Sequence, residues 1–248
     1  MRRFFVEPEN IVGAGAVLTG AEARHIATVL RLTPGAGITL FDGSGSYYEA
    51  LLTRVAPARV EAKIIRFTPY IEANEAGRSH LHLGIGLLKG KKMDLVIQKS
   101  TELGIHSVRP FRSQYSTVYD ATEAKLSRWQ KIGFEACKQS NQPKPPLLHE
   151  VTDFLAILSG AGEEQHQLRI IFWEEPGQKT LGQILGAINE VKSALVLIGP
   201  EGGFSSEEVA AATAAGFEPA SLGGRILRAE TAAIAAVAIL QHELGNLV

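Results

Sequence analysis

The chain has 248 residues and one cysteine, Cys137, so no intramolecular disulfide can form. That fits a reducing compartment. Long apolar runs are also missing. The longest, "AAIAAVAIL" at 232–240, falls well short of the roughly 18 residues a spanning helix needs. The opening "MRRFFVEPEN" is basic and apolar, but Glu7 and Pro8 interrupt it before a secretory hydrophobic region is reached. No internal repeat and no low-complexity tract is visible. Net charge of one sign is lacking as well, at −1 for the whole chain. What remains is an ordinary apolar fraction of 45%, enough for a real core in one large or two modest domains. These features predict a cytoplasmic enzyme or binding protein with no membrane association.

The small net charge conceals an uneven distribution. Residues 1–79 carry nine Lys/Arg against eight Asp/Glu, residues 80–145 eleven against five, and residues 146–248 five against thirteen. The middle segment alone has the basic excess expected of a nucleic-acid contact, which a plain solvated surface would also show.

Two rhythms follow one another along the chain. Residues 1–72 read as strands and turns. "AGITLFDGSGSYYEALLTRV" gives a hairpin around "DGSG", and one helical patch, "GAEARHIATVLRL", interrupts the strands. A small β-barrel with a helix fits this pattern. "YIEANEAGRSH", 70–80, reads as a linker. Beyond it, "LHLGIGLL", "SVRPF", "LRIIFWEE" and "ALVLIG" read as strands. They alternate with the helical patterns "MDLVIQKSTELG", "EAKLSRWQKIGFEACKQS", "SSEEVAAATAAG" and "RAETAAIAAVAILQHELG". Such alternation predicts an α/β layer with a mostly parallel sheet.

Chemistry concentrates in "LVLIGPEGGFSSEE", 195–208, between a strand and a helix, where ligands of open α/β sheets bind. Three glycines around one proline exceed what a simple turn requires. Ser205 and Glu208 form a capping box, with Phe204 and Val209 as the hydrophobic staple. The string is neither GxGxxG nor GxxxxGK[ST] and has no lysine. Glu201 disfavours a phosphate, and Ser205 already satisfies the helix start where a phosphate would dock. A ligand with a positive centre suits the loop better, and S-adenosylmethionine carries a sulfonium and an ammonium. A second loop, "SLGGRILRAETAA" at 221–233, passes two glycines into an Ala-rich helix. Glu230 near that helix start is either a dipole residue or a catalytic one. Arg225 and Arg228 stand out in the part of the chain poorest in basic residues.

Together, "IGPEGGFS" and "LGGRILRAETA" resemble the C-terminal signature of the SPOUT class of RNA methyltransferases. The closer likeness is to the bacterial 16S ribosomal RNA uracil-N3 methyltransferases. "HIATVLRLTPGAGITLFDG", "LLKGKKMDLVIQKSTELGIHSVRPF" and "KIGFEACKQS" are similar to that family's other segments, so the resemblance covers nearly the whole chain. It implies an N-terminal PUA-like β-barrel, 1–72, that binds RNA. It also implies a SPOUT-type α/β trefoil-knot methyltransferase domain, 73–248, using S-adenosylmethionine and no metal. The implied partners are 16S ribosomal RNA or the small ribosomal subunit, and a second copy of the chain packed through the knotted domain. The apolar helix 229–244 would find its cover there, or in an intradomain core.

The resemblance assigns the cofactor to Phe172, Trp173, Ile198, Gly199, Pro200, Gly202, Leu222, Gly223, Ile226 and Leu227. Methylation at N3 needs an unpaired uracil, because N3 lies on the Watson–Crick edge. Arg228, then Arg225, are the candidate cations for a uracil anion. Glu201 is a candidate proton acceptor or a loop-orienting group. Arg2, Arg3, Arg24 and Arg31 in the barrel, with Lys89, Lys91 and Lys92, are candidate RNA contacts. One departure stands out: after "QS", where the family commonly has an arginine, this chain has Asn141, Gln142, Pro143 and Lys144. Lys144 can replace a phosphate contact but not a bidentate one. His80 and His82 share a strand face without a third ligand nearby in sequence and read as ordinary strand residues. Cys137, within an amphipathic helix, reads as packing. A ribose 2′-O-methyltransferase of the same fold and a non-catalytic RNA-binding protein are the competing expectations.

Overall fold

The computed structural model describes residues 2–69, 78–118, 122–140, 142, 144–163, 166–175, 178–186 and 191–247. The chain divides into two compact units, Met1–Ala76 with Cys137–Pro145, and Gly77–Ala136 with Pro146–Val248. The boundary expected at 72/73, most of the 70–80 linker, Asn141 and Pro143 lie outside the described residues.

The first unit is a six-stranded sheet of β1 (Arg3–Phe5), β2 (Ile11–Val12), β3 (Gly15–Thr19), β4 (Gly37–Phe41), β5 (Tyr47–Ala56) and β6 (Arg59–Thr68). Its order is β1-β4-β5-β6-β3-β2, parallel only between β1 and β4. The "DGSG" turn closes β4 on β5 with Phe41 opposite Tyr47. The Asp42 carboxylate holds that turn, accepting from the Ser44 N–H at 2.9 Å, the Ser44 hydroxyl at 2.6 Å and the Tyr48 hydroxyl at 2.8 Å. Helix α1 (Gly20–Arg24) runs on as a π-helical turn, His25–Val29. Ala23 and Ile26 point into a core shared with Phe4, Leu18, Leu40, Leu52 and Val60.

Among the described residues, the second unit carries eight parallel strands. These are β7 (His80–Gly86), β8 (Ser107–Arg112), β9 (Leu147–Leu148), β10 (Thr152–Asp153), β11 (Leu168–Phe172), β12 (Lys179–Thr180), β13 (Ser193–Ile198) and β14 (Glu218–Ser221). Their path is β10-β8-β7-β13-β11-β14-β12, with β9 beside β8. Period-two alternation feeds both faces of this sheet. Ala194, Val196 and Ile198 of β13 join the core made with α2 (Lys92–Glu102), α3 (Glu123–Ser140), α5 (Leu181–Leu185) and α7 (Ala229–Glu243). Leu195 and Leu197 join the opposite core with α4 (Phe154–Glu163) and α6 (Ser206–Ala214). Strands buried on both faces are expected of a parallel sheet. Helix α7 packs on α2, β7 and β13 through Ala233, Ala236, Val237 and Leu240, while Ile239 on its other side is 43% exposed.

Candidate active site

In the order β13-β11-β14, Phe172 pairs with both Ile198 and Ala220. Three parallel strands therefore end at the same level. A further bond from the Trp173 N–H to the Ala220 carbonyl, 2.9 Å, keeps two exits together. Between these exits lies a cavity of about 690 Å³. Phe172 and Trp173 line it from β11. Ile198, Gly199, Pro200, Glu201 and Gly202 line it from β13. Leu222, Gly223, Arg225, Ile226, Leu227 and Arg228 line it from the segment after β14. Every residue expected at the cofactor or at the reacting base thus shares one cavity. Arg225 and Arg228 are exposed, and Ile226 is 87% exposed, so these three stand at its open side.

The glycines have more specific roles than openness to a ligand. The Gly203 N–H closes a turn on the Pro200 carbonyl at 2.9 Å, with Gly203 at φ +73°, in the left-handed region that favours glycine. A Cβ on Gly202 would sit 2.6 Å from Tyr115 Cβ. Gly202, which also lines the cavity, therefore makes room for the residue 115 backbone and side chain. A Cβ on Gly86, at the end of β7, would lie 2.5 Å from both Pro200 N and Pro200 Cδ. Gly86 lets the loop lie across β7, and sequence reasoning missed it. The helix start follows expectation. The Ser205 hydroxyl accepts from the Glu208 N–H at 3.2 Å, and the Glu208 carboxylate accepts from the Ser205 N–H at 3.0 Å.

The charges are arranged in a way the sequence did not reveal. Lys92 also lines the cavity. Its Nζ lies 2.9 Å from Glu201 Oε1 and 3.6 Å from Glu230 Oε2. The same Glu201 oxygen accepts the Lys89 N–H at 3.1 Å. Desolvation, which raises the Glu201 carboxyl, is outweighed by these bonds, and its pKa is held below the ordinary value. Glu201 Oε1 is thus already engaged by both Lys89 and Lys92. Lys89 and Lys91 are exposed, as are Arg2, Arg24 and Arg31. Arg3 is half-buried. Its guanidinium lies 3.9 Å from the Phe41 ring centroid and 4.8 Å from that of Tyr47, and it donates to the Gln142 carbonyl at 2.6 Å.

His80 and His82 are less ordinary than they looked. His106 stacks on His80 at 4.1 Å, and both His106 and His166 flank His82, at 5.0 and 4.8 Å. The four rings meet at the start of the strands, at the opposite end from the cavity. Among the described residues, no group of three or more His, Cys, Asp or Glu could hold a metal ion. Burial pushes the Cys137 thiol up to about 11, with Arg3 opposing, so it stays protonated and packs.

With this geometry in view, similarity to known proteins is informative. A family profile described as an RNA methyltransferase domain matches residues 75–241, and one described as an RNA methyltransferase PUA domain matches residues 18–65. "Ribosomal RNA small subunit methyltransferase E" of a Synechocystis species is 34% identical, across 95% of this chain and 76% of its own length. The protein of that name from Bacillus subtilis is 30% identical, across 98% of this chain and 97% of its own. This chain belongs to the ribosomal RNA small subunit methyltransferase E family. A member from Neisseria gonorrhoeae, solved bound to S-adenosyl methionine, superposes with a TM-score of 0.78 at 31% identity, covering 98% of this chain and 97% of that one. The architecture is accordingly an α/β fold with a PUA domain and a SPOUT-type methyltransferase domain.

Proposed function

We propose that the protein transfers the methyl group of S-adenosylmethionine to N3 of a specific uridine in 16S ribosomal RNA of the small subunit, in the cytoplasm. The observation that carries this reading is the convergence of both signature loops on one cavity. Its volume of about 690 Å³ suits a nucleoside-sized ligand. The walls fit S-adenosylmethionine. Phe172, Trp173, Ile198, Leu222 and Leu227 offer apolar faces to an adenosine, and the turn at Pro200–Gly203 offers main-chain groups. Glu174, Glu175 and Glu201 line the same cavity and offer carboxylates to a ligand with a positive centre. When bound, the cofactor supplies an electrophilic methyl group on a sulfonium.

The protein's own residues supply the rest. Arg228, exposed on the cavity rim, stabilises the N3 anion of the uracil, with Arg225 as the second cation. Arg2, Arg24, Arg31, Lys89 and Lys91 present exposed charge to RNA phosphates. The loops 198–203 and 222–227 belong to a trefoil knot that clasps the cofactor. The partly exposed side of α7, with Ile239, packs in a homodimer through the knotted domain. In the test, small subunits lacking the modification are incubated with protein and S-adenosylmethionine, and the RNA is digested for nucleoside mass spectrometry. 3-Methyluridine is the expected product. A 2′-O-methyl nucleoside would replace the N3 reading, and no methyl transfer by cofactor-loaded protein would refute catalysis.

A further inference from the structure

Lys92 belongs in sequence to the basic run Lys89-Gly90-Lys91-Lys92, yet its surroundings set it apart. Lys89 and Lys91 are exposed. Lys92, the first residue of α2, places its ammonium between two carboxylates, 2.9 Å from Glu201 and 3.6 Å from Glu230. Glu201 sits in the turn of the first signature loop. Glu230 sits in the first turn of α7, directly after the second. The Glu230 residue is only 9% exposed, and its Oε2 is buried without a hydrogen-bond partner among the described residues. The Lys92 ammonium is the cation placed to offset that charge.

Without Lys92, two carboxylates would face each other across the loop–helix junction, one of them buried. An uncompensated buried charge is costly, and like charges close together are relieved by moving apart. Separation here means that the glycine loop swings away from α7 and the cavity wall opens. We infer that Lys92 is a positioning residue of the cofactor site, fastening the Pro200–Gly203 turn to the start of α7, and not a contact to RNA phosphate. This inference rests on the S-adenosylmethionine site proposed above.

The test compares wild type, Lys92→Met, Lys92→Arg, Lys92→Met with Glu201→Gln, and Lys89→Ala with Lys91→Ala. Calorimetry gives the S-adenosylmethionine Kd, and RNA affinity is measured against salt concentration. Lys92→Met is expected to weaken cofactor binding about tenfold or more. The salt slope for RNA should stay unchanged. Lys92→Arg should hold cofactor affinity within about threefold, since it keeps the cation. Adding Glu201→Gln to Lys92→Met should recover part of the loss by removing the repulsion, a rescue that a purely steric role would not give. The Lys89/Lys91 double variant should do the reverse of Lys92→Met, losing about one unit of salt slope per phosphate contact. If Lys92→Met does not fold, Lys92→Gln is measured in its place, and the same outcomes support or overturn the inference. A lowered salt slope with unchanged cofactor affinity in Lys92→Met makes Lys92 a phosphate contact and overturns it. Failure of wild type to bind the cofactor removes the proposed site and this inference together. Wild-type binding with no response to Lys92→Met removes the inference alone.

Discussion

His82 gives the sharpest quantitative expectation. It lies on β7 with 9% exposure, its Nδ1 2.7 Å from the Ser107 hydroxyl, between the rings of His106 and His166. Burial, then the nearby His166, His106, Arg109 and His80, push its pKa down to about 3 from an ordinary value of 6.5. The folded protein therefore keeps the ring neutral between those values, while the unfolded chain takes up a proton. The stability this group contributes is intact above pH 6.5 and is lost progressively as pH falls toward 3. At a pH two units below the unfolded value, the loss is about 2–3 kcal/mol, at 1.36 kcal/mol per unit. Urea unfolding of wild type and His82→Gln at pH 8 and pH 4.5 isolates the term, because other acid-sensitive groups are common to both proteins. The variant will be less stable at pH 8 from altered packing. Its further loss on acidification should be smaller than that of wild type by about 2–3 kcal/mol. Equal acid losses in the two proteins would refute the reasoning, and would mean that the ring is protonated or hydrated within the fold.

Arg228→Ala should keep S-adenosylmethionine affinity within a few-fold and lower turnover by about 2–4 kcal/mol of transition-state stabilisation. A changed RNA salt slope with an unchanged saturated rate would make Arg228 a phosphate anchor. Gly86→Ala places a Cβ 2.5 Å from Pro200 backbone. It should destabilise the fold by about 1–3 kcal/mol and weaken cofactor binding, seen in paired melting and calorimetry. Wild-type values in both would show that the loop does not lie across β7. Ser205→Ala removes one half of the capping box and should cost about 1 kcal/mol in urea unfolding.

Local signals in the sequence determined the elements whose causes are local. The capping box of Ser205 and Glu208 needs only four consecutive residues, and it formed. The hairpin around Asp42–Gly45 needs a turn between two strand-like runs, and it paired Phe41 with Tyr47. Helix α3, read from its amphipathic period, spans Glu123–Ser140. Helix α4 is not among the helices expected from the sequence, although Phe154, Ile157, Leu158 and Ala161 carry the helical spacing. The two signature loops were also legible, because glycine and proline mark backbone demands within a few residues.

What each loop touches was decided elsewhere. Lys92 meets Glu201 across 109 residues of chain, and Arg3 meets Gln142 across 139. Gly86 is needed because β13 lies beside β7, so that Pro200 crosses its end, and Gly202 because the segment with Tyr115 passes against the loop. His80, His82, His106 and His166 meet only because β7, β8, β11 and β13 start at one edge. Hydrophobic period and turn chemistry act over one element at a time. Strand order and register set which distant side chains share a few ångströms, and that sharing turned a lysine of a basic run into a partner of two carboxylates.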